Sequence, residues 1–320
     1  MVNQGLAQTS DTLFWAALAA YAVAMVLFFA ALAYRARRIG SVAAAIAWIG
    51  VLIHVGSVTT RGLAAGRVPW GNMFEYSSML GLLLVATYLV VVDRRLGLRQ
   101  IGGFALAAGV LALASARMLY APAEPLQPAL ESYWLRFHVF AAISGSMLFG
   151  LSFIFSVLSL IKARGEHRNL TYGGSTVGAA YVGTRARDAD SPVEDLINEP
   201  RPGASIRDGG GFRGRLPDAE RLETLAYRTV QFAFPIWTFA VIAGAIWAHE
   251  AWGRYWGWDP KETWAFVTWV IYAGYLHAHA TAGWRARRAA WINVAGFASV
   301  LTTYYLVNLV MASKHGYAGV

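Results

Sequence analysis

The chain has 320 residues, of which 57% are hydrophobic and only 14% are charged, and its formal net charge is +9. Soluble globular domains carry about 25% charged residues, so this composition excludes a soluble domain and predicts a membrane protein with several spans. The Lys and Arg residues cluster in the connections between apolar runs, as membrane orientation requires, so we predict no binding of nucleic acid. There is no cysteine. The protein therefore forms no disulfide, offers no thiolate to a metal and has no thiol nucleophile of its own.

Eight apolar runs are long enough to be membrane-spanning helices, which need about 20 residues each. The predicted fold is therefore all-α, a polytopic membrane helix bundle of about eight transmembrane helices with an external Trp-rich loop. Glycines dilute the fourth run, which is the weakest of the set. The predicted spans, in chain order, are 12–34, 41–60, 73–92, 101–118, 136–161, 229–249, 264–282 and 290–311.

A polar segment separates the runs into two groups. Residues 1–162 form an N-terminal membrane half with five spans, and residues 229–320 form a C-terminal part with three spans and the Trp-rich loop at 250–264. The segment 163–228 between them is rich in Gly, Arg, Asp and Pro, so little apolar burial would offset the entropy cost of ordering it. We expect a largely disordered insert, with a short helix around Asp218–Arg228 that leads into the sixth span.

The connections alternate between rich and poor in Lys and Arg. Those after the first, third, fifth and seventh spans are the rich ones, and positive charge favours the cytoplasmic side of a membrane. Both termini, the Trp-rich loop and the segment 119–135 are therefore predicted to be external, and the insert 163–228 is predicted to be cytoplasmic. We expect a multi-pass protein of the plasma membrane, in contact with membrane lipid.

The Trp-rich loop is the most unusual stretch of the chain. Glycines separate its rings, and Pro260 interrupts a regular helix. An interfacial aromatic belt is the alternative interpretation, because belts enrich Trp at the headgroup level. Belts are scattered along span ends, however, whereas this cluster is compact and carries charged residues, which favours a platform for a large flat ligand. The candidate ligand-binding residues of the platform are Trp252, Trp256, Trp258, Asp259 and Trp264.

Two histidines lie beside this loop in the predicted topology. His138 is near the external end of the fifth span, and His315 follows the eighth. Two imidazoles over an aromatic platform suit axial ligation of a haem iron, whereas zinc would need further ligands that are not evident. For either histidine considered alone, the alternative to haem ligation is an interfacial side chain that is hydrogen-bonded only to water or to the backbone. Arg136 and Arg254 are the candidates to bind the haem propionates, with ordinary snorkelling at span ends as the alternative.

Two further histidines, His54 and His277, lie inside predicted spans, where an ionisable residue is a functional candidate. They are candidates for a second bis-histidine haem site. The predicted boundaries put His54 roughly 20 Å and His277 under about 10 Å from the cytoplasmic end. Either the second span starts later than predicted or the pairing is wrong. His279 points to another face than His277 and is a weaker substitute.

Glu75 lies at the external start of the third span, where a carboxylate enters the bilayer. Such a placement is costly for an unpaired charge. We therefore predict an ionic partner for Glu75, with the external arginines as the candidates.

A resemblance to the WWD signature of haem-handling proteins is carried by the stretch Trp252-Gly253-Arg254-Tyr255-Trp256-Gly257-Trp258-Asp259-Pro260-Lys261-Glu262. The surrounding residues from Trp264 to His315 resemble the CcsA/ResC proteins of System II cytochrome c biogenesis, whose actinobacterial members are often labelled CcsB. The stretch Asn72-Met73-Phe74-Glu75-Tyr76-Ser77 is also similar to a motif of this family. The resemblance covers nearly all of the chain except the insert.

This resemblance implies that the protein moves haem b across the membrane and presents it at the WWD loop to apocytochrome c. With a ResB-type partner, such proteins form thioethers between haem vinyl groups and the thiols of a Cys-x-x-Cys-His motif, so the chain is expected to be a subunit of a cytochrome c synthase. By the same resemblance, His138 and His315 ligate haem at the loop, and His54 and His277 hold haem in the membrane. One departure is Lys314, because Ser-Lys-His-Gly stands where Gly-Leu-His-Ser is usual.

Two other functions stay open at this stage. The first is a haem chaperone without ligase activity, which delivers haem to a separate synthase as CcmC-type proteins do. The second is a membrane transporter or scaffold whose Trp-rich loop only anchors it. The four histidines in two pairs argue against the transporter or scaffold. A ResB-type neighbour in the genome would argue against the chaperone without ligase activity.

Overall fold

The computed structural model describes residues 2–126, 130–184, 212–281 and 287–310, with side chains described except at 165–184 and 213. All regular secondary structure in these ranges is helical. Eight long helices account for nearly all of it, one for each predicted span. Their bounds are α1 Gln4–Tyr34, α2 Arg37–Ala65, α3 Met73–Arg95, α4 Arg99–Met118, α5 Tyr133–Thr184, α6 Ala219–Trp252, α7 Pro260–Thr281 and α8 Arg287–Val310.

Seven of these helices are long and apolar enough to cross a membrane. The remaining predicted span, the seventh in chain order, is α7, which has 22 residues. That length corresponds to about 33 Å of helix, enough for the hydrocarbon core of a bilayer. The Trp, Tyr and His residues of α7 make it less apolar than the other seven helices. The predicted polytopic all-α bundle is confirmed.

Most helices extend beyond the predicted spans. α1 begins at Gln4 because Asn3 caps it, its side-chain oxygen accepting the Leu6 backbone N–H at 3.1 Å. α2 begins at Arg37, also earlier than predicted. Hydropathy detects the stretch that contacts hydrocarbon, whereas helical hydrogen bonding continues into the polar sequence beyond it.

The polar insert is helical at both of its ends. α5 continues to Thr184, and α6 begins well before the sixth predicted span, so the short helix expected to lead into that span is present. A 3₁₀ turn at Phe212–Arg215 precedes α6. Residues 185–211 of the insert lie outside the described residues. The prediction that the insert 163–228 is largely disordered therefore stays a prediction.

The helices form two packed cores that meet at α5. In the first core, α1 and α2 pack along most of their length, and α3 and α4 complete the group. Small residues bring α1 and α2 close, since a Cβ atom at Gly50 would lie 2.8 Å from the ring of Tyr21. In the second core, α6, α7 and α8 pack around α5, where Phe149 stacks on Tyr272 at a centroid distance of 3.7 Å. The histidines of α2 and α7 therefore lie in different halves of the bundle.

Contacts between the connections define two ends of the bundle. At one end, Ser132 Oγ in the α4–α5 connection donates a hydrogen bond to Glu250 Oε2 near the end of α6, at 2.6 Å. At the other end, Arg221 at the start of α6 donates to the Leu96 carbonyl oxygen after α3, at 3.2 Å. The first end also carries the α6–α7 connection, which is the Trp-rich loop. We call it the Trp-rich end.

Candidate functional site

The Trp-rich loop is folded by two carboxylates. Gly253 caps α6 with a φ of 71°, the left-handed conformation that helix ends favour in glycine. Glu262, in the first turn of α7, accepts the backbone N–H groups of Gly257 at 2.8 Å and Asp259 at 3.2 Å. Asp259 in turn accepts the backbone N–H of Lys261 at 3.1 Å. Acidic side chains stabilise a helix N-terminus in this way, so both carboxylates hold the loop onto α7.

Arg254 lies inside the loop. Its Nη1 atom is 3.7 Å from Glu262 Oε1, and its guanidinium carbon is 5.9 Å from the centre of the Trp252 ring. A Cβ atom at Gly257 would overlap the guanidinium group, which explains the glycine at that position. Arg254 therefore braces the loop, and it is not on the wall of the cavity where a ligand carboxylate would lie.

The Trp side chains of the loop do not form one flat surface. Trp256 and Trp258 meet edge to face, with ring centres 5.7 Å apart and an interplanar angle of 89°. Trp252 packs instead on Trp247 of α6, at 4.9 Å. Trp258 is 67% exposed and has a φ of 57°, a left-handed conformation that is uncommon for a bulky residue. Strain of this kind clusters at functional sites, and Trp258 is the most exposed of the loop tryptophans.

A cavity of about 1720 Å³ lies beside the loop, larger than the roughly 300–1,000 Å³ of usual ligand pockets. It runs along α5 from His138 to Ile154, a distance of about 24 Å. Its wall is mostly apolar, and the polar groups lie toward the Trp-rich end. Two tryptophans of α6, Trp237 and Trp247, are on the wall, whereas the wall contains none of Trp252, Trp256, Trp258 and Trp264.

His138 is on the cavity wall in an orientation suited to ligation. Its Nδ1 atom is 2.7 Å from the carbonyl oxygen of Ala240. A carbonyl oxygen only accepts, so Nδ1 carries the proton and Nε2 keeps a free lone pair. Gly244 of α6 makes the room, because a Cβ atom there would lie 2.6 Å from Nδ1. Metal-binding histidines are typically oriented by such a hydrogen bond from the other ring nitrogen.

Two positive side chains share this part of the wall. Arg136 lines the cavity as predicted and is exposed at its edge. Lys261, at the start of α7, also lines it, although the sequence analysis did not single it out. The cavity therefore presents cationic groups near the His138 imidazole.

A tyrosine cluster on the last helix also lines the cavity. A π-helical turn at Thr302–Leu306 interrupts α8, and such turns are frequent at functional sites. The turn carries Tyr304, which stacks on Tyr76 of α3 at 5.1 Å and donates a hydrogen bond to the Met73 carbonyl oxygen at 3.1 Å. α8 leads on toward His315, which lies outside the described residues. The pairing of His138 with His315 therefore stays a prediction.

Glu75 has the ionic partners that its position requires. Arg61 Nε donates to Oε1 at 3.0 Å, and Arg67 Nη1 donates to Oε2 at 2.7 Å. The backbone N–H of Gly71 donates to the same carboxylate at 2.8 Å. The predicted ionic partnership of Glu75 is confirmed, with two of the candidate arginines, and it holds the α2–α3 connection against the cavity.

The structure does not bring His54 and His277 together. His54 is fully buried between α1, α2 and α3, with Nδ1 3.3 Å from the Tyr21 hydroxyl and Nε2 2.9 Å from the Ser78 hydroxyl. His277 is exposed on α7, in the other half of the bundle. Because α2 begins earlier than predicted and not later, a shifted helix start does not reconcile their depths. Ligation of one iron by this pair stays a prediction that these contacts do not support.

His279 is engaged elsewhere. Its Nε2 atom is 3.4 Å from Glu223 Oε1 on α6, and its ring stacks on Tyr227 at 3.8 Å. These contacts lie at the end of the bundle opposite the Trp-rich end. His279 therefore ties α7 to α6, and nothing in its surroundings joins it to His54.

Comparison with known proteins shows similarity over most of the chain. A family described as cytochrome c assembly protein matches residues 70–315. A cytochrome c biogenesis protein CcsA from Gloeobacter violaceus is 33% identical over 94% of this chain and 94% of its own length. A cytochrome c biogenesis protein CcsA from Porphyra purpurea is 32% identical to this chain over 92% of each chain. A solved structure, the cytochrome c haem lyase CcmF, has a similar fold, with a TM-score of 0.63 at 15% identity over 98% of this chain and 48% of CcmF.

Proposed function

The chain belongs to the cytochrome c assembly family, with CcsA proteins of cytochrome c biogenesis as relatives, and we propose that it delivers haem for covalent attachment to apocytochrome c. The observation that carries this proposal is the Nε2 lone pair of His138 on the wall of a large, mostly apolar cavity. A neutral imidazole ligates haem iron, and an apolar wall with a few polar groups suits a porphyrin. Haem b is the proposed cargo, since its vinyl groups are still free to react.

His315 is the proposed second axial ligand. The polar segment that carries it follows α8, whose last described turns line the cavity with Tyr304 and Asn308. Trp258, exposed in a strained backbone conformation, is the proposed contact for the porphyrin edge or for the incoming apocytochrome. Aromatic rings contribute large contact areas at such sites.

The proposed reaction is the addition of a cysteine thiol across each haem vinyl group. A C–S bond forms at one vinyl carbon, the thiol hydrogen goes to the other, and no group leaves. This chain has no cysteine, so both thiols come from the Cys-x-x-Cys-His motif of the apocytochrome. Its contribution is to hold the porphyrin still beside them, and such positioning lowers a bimolecular barrier by several kcal/mol, up to about 7–11 in well-oriented cases.

The proposed orientation places the Trp-rich end outside the plasma membrane and residues 163–228 in the cytoplasm, because the connections rich in Lys and Arg lie at the other end. A ResB-type membrane protein is the proposed partner. The exposed flank of α7 that carries His277 is open to such a neighbour. A haem chaperone without ligase activity is the second candidate, because the same cavity would also serve delivery to a separate synthase.

The test is maturation of a reporter apocytochrome c in cells that lack their own CcsA-type protein and carry this chain with a ResB-type partner. We expect haem to stay on the reporter after denaturation, as thioether linkage requires. His138→Ala should abolish this while the protein still inserts, and His249→Ala is the matched control, because His249 stacks on Tyr255 in the loop at 4.3 Å and is not on the cavity wall. Normal maturation with His138→Ala would contradict the proposal, and reporter haem that is lost on denaturation would favour the chaperone.

A further inference from the structure

The cavity has a side that faces the bilayer. Most of its wall comes from α3, α4, α5 and α8, which pack in the order α4, α3, α5, α8, so that α4 and α8 are the two flanks. Each flank has a leucine that lines the cavity and is also exposed, Leu111 of α4 at 69% and Leu301 of α8 at 42%. Such exposure is too high for side chains enclosed in a cavity. The two leucines therefore mark an opening between α4 and α8, which we call the lateral opening.

The lateral opening lies at the depth of the hydrocarbon layer and of His138. Leu111 and Leu301 are 12 and 14 residues from the starts of α4 and α8, or about 18 and 21 Å from the end of the bundle opposite the Trp-rich end. Leu111 is also 7 residues before the end of α4, about 10 Å from the Trp-rich end, and His138 is 5 residues after the start of α5, about 8 Å from that end. A ligand that enters here reaches the imidazole by lateral movement alone.

The Trp-rich end of the cavity is covered by contacts between its connections. Arg67 Nε of the α2–α3 connection donates to the Glu124 carbonyl oxygen of the α4–α5 connection, at 2.8 Å. The α4–α5 connection is in turn bound to the end of α6 by the hydrogen bond from Ser132 to Glu250. A ligand that entered from the water would have to break such contacts.

Apolar side chains border the lateral opening and close the gap above it. Toward the Trp-rich end, α4 and α8 meet in a small cluster of Met73, Leu119, Tyr304 and Tyr305. Below this cluster, the cavity side chains of the two flanks are apolar, and they are those of Ala108, Leu111, Ala112, Phe297, Val300 and Leu301. An apolar ring that passes between them exchanges hydrocarbon for apolar side chains and leaves no polar group without a partner.

We infer that the ligand of the cavity enters from the bilayer through the lateral opening. Under the proposed function this ligand is haem b, so the inference rests on that function. The porphyrin face is apolar and dissolves in hydrocarbon, whereas the two carboxylates lie on one edge of the ring and stay at the headgroups. In that orientation the ring reaches His138 with its carboxylates toward the Trp-rich end, where Arg136 lies on the wall. The route involves neither His54 nor His277.

The absence of cysteine from the chain allows a bulky group to be attached at one chosen position. Leu111→Cys and Leu301→Cys, in the full-length protein in vesicles, are each modified with pyrene maleimide or with the small N-methylmaleimide. Leu52→Cys is the matched control, because Leu52 is 68% exposed on α2 and is not on the cavity wall. Leu63→Cys tests the other side of the cavity, because Leu63 lies on the wall near the end of α2 and is exposed.

The measurement is the rate of haem uptake from haem-loaded donor vesicles, followed by the part of the Soret band that His138→Ala removes. We expect the pyrene adducts of Leu111→Cys and Leu301→Cys to slow uptake at least about tenfold, equivalent to about 1.4 kcal/mol at the barrier. Their final spectra should match the wild type, because the site itself is unchanged. The N-methyl adducts, and both adducts of Leu52→Cys and Leu63→Cys, should load at the wild-type rate.

Uptake at the wild-type rate with both pyrene adducts at the lateral opening would overturn the inference. So would equal slowing by the N-methyl adducts or by the Leu52→Cys adducts, and so would slowing by the Leu63→Cys pyrene adduct alone. If one of the two modified rim variants does not fold, the other decides. A wild type that takes up aqueous haem but none from vesicles overturns the lateral entry only, whereas a wild type that takes up haem from neither source contradicts the proposed function itself.

Discussion

Replacing Gly244 by Ala tests whether the position of the His138 imidazole matters. The added Cβ atom would lie 2.6 Å from Nδ1 and 2.8 Å from Cε1, where ordinary contacts begin at 3.4 Å. The ring must therefore retreat by roughly 1 Å, since close-packed interiors absorb little overlap. The hydrogen bond from Nδ1 to the Ala240 carbonyl oxygen, now 2.7 Å long, would then exceed the usual limit of about 3.2 Å.

Two costs and one gain follow from this displacement. Overpacking costs about 1–3 kcal/mol, and the lost hydrogen bond costs about 0.5–1.5 kcal/mol. Replacing Gly by Ala within a helix stabilises the folded state by about 0.5–1 kcal/mol. We therefore expect a modest net loss of stability. Haem affinity should fall more clearly, by about 10–100-fold, because the group that orients the ligating imidazole is lost.

The assay is a haem titration of Gly244→Ala beside Gly274→Ala. Gly274 is a helical glycine of α7 with open space where its Cβ would be, so its replacement should leave haem affinity unchanged. Thermal unfolding reports whether both variants are folded. A folded Gly244→Ala protein with the affinity and spectrum of the wild type would refute the reasoning, because the imidazole would then need no fixed position.

Three further outcomes follow from the described contacts. Glu75→Gln leaves the buried Arg61 and the partly buried Arg67 without their carboxylate and should cost about 3–5 kcal/mol of stability, measured by unfolding in detergent; a loss under about 1 kcal/mol would contradict a buried ionic cluster. Glu262→Ala should cost about 1 kcal/mol and speed hydrogen exchange at the loop amides that it now binds, and unchanged exchange would speak against this role. Trp258→Gly relieves a left-handed backbone worth about 1–2 kcal/mol and should lower maturation of the reporter apocytochrome without lowering stability, whereas unchanged maturation would remove Trp258 from the proposed contacts.

The helical architecture was predictable because each span must satisfy its backbone hydrogen bonds within the bilayer. The same reasoning predicted an ionic partner for Glu75, because an unpaired carboxylate at the start of a membrane span is energetically costly. The choice of Arg61 and Arg67 among the external arginines came only with the structure, because it depends on how α2 and the α2–α3 connection fold back on α3.

The arrangement of side chains around the cavity was less accessible from the sequence. Arg254 and Lys261 both belong to the Trp-rich stretch, and only its fold decides that the first points into the loop and the second into the cavity. The partner that orients His138 is a carbonyl group of α6, remote in sequence and without a side-chain signal. Hydropathy gives no information on how helices lie side by side. His54 and His277 are therefore paired in the sequence analysis only because both are histidines within spans, although they lie in different halves of the bundle.

The central claim is that His138 ligates haem through Nε2, and the visible spectrum of the purified protein from haem-replete cells tests it most directly. We predict a Soret band with sharp reduced α and β bands, which His138→Ala diminishes or shifts and His249→Ala leaves unchanged. A colourless wild type, or a His138→Ala protein with the wild-type spectrum, would contradict the account.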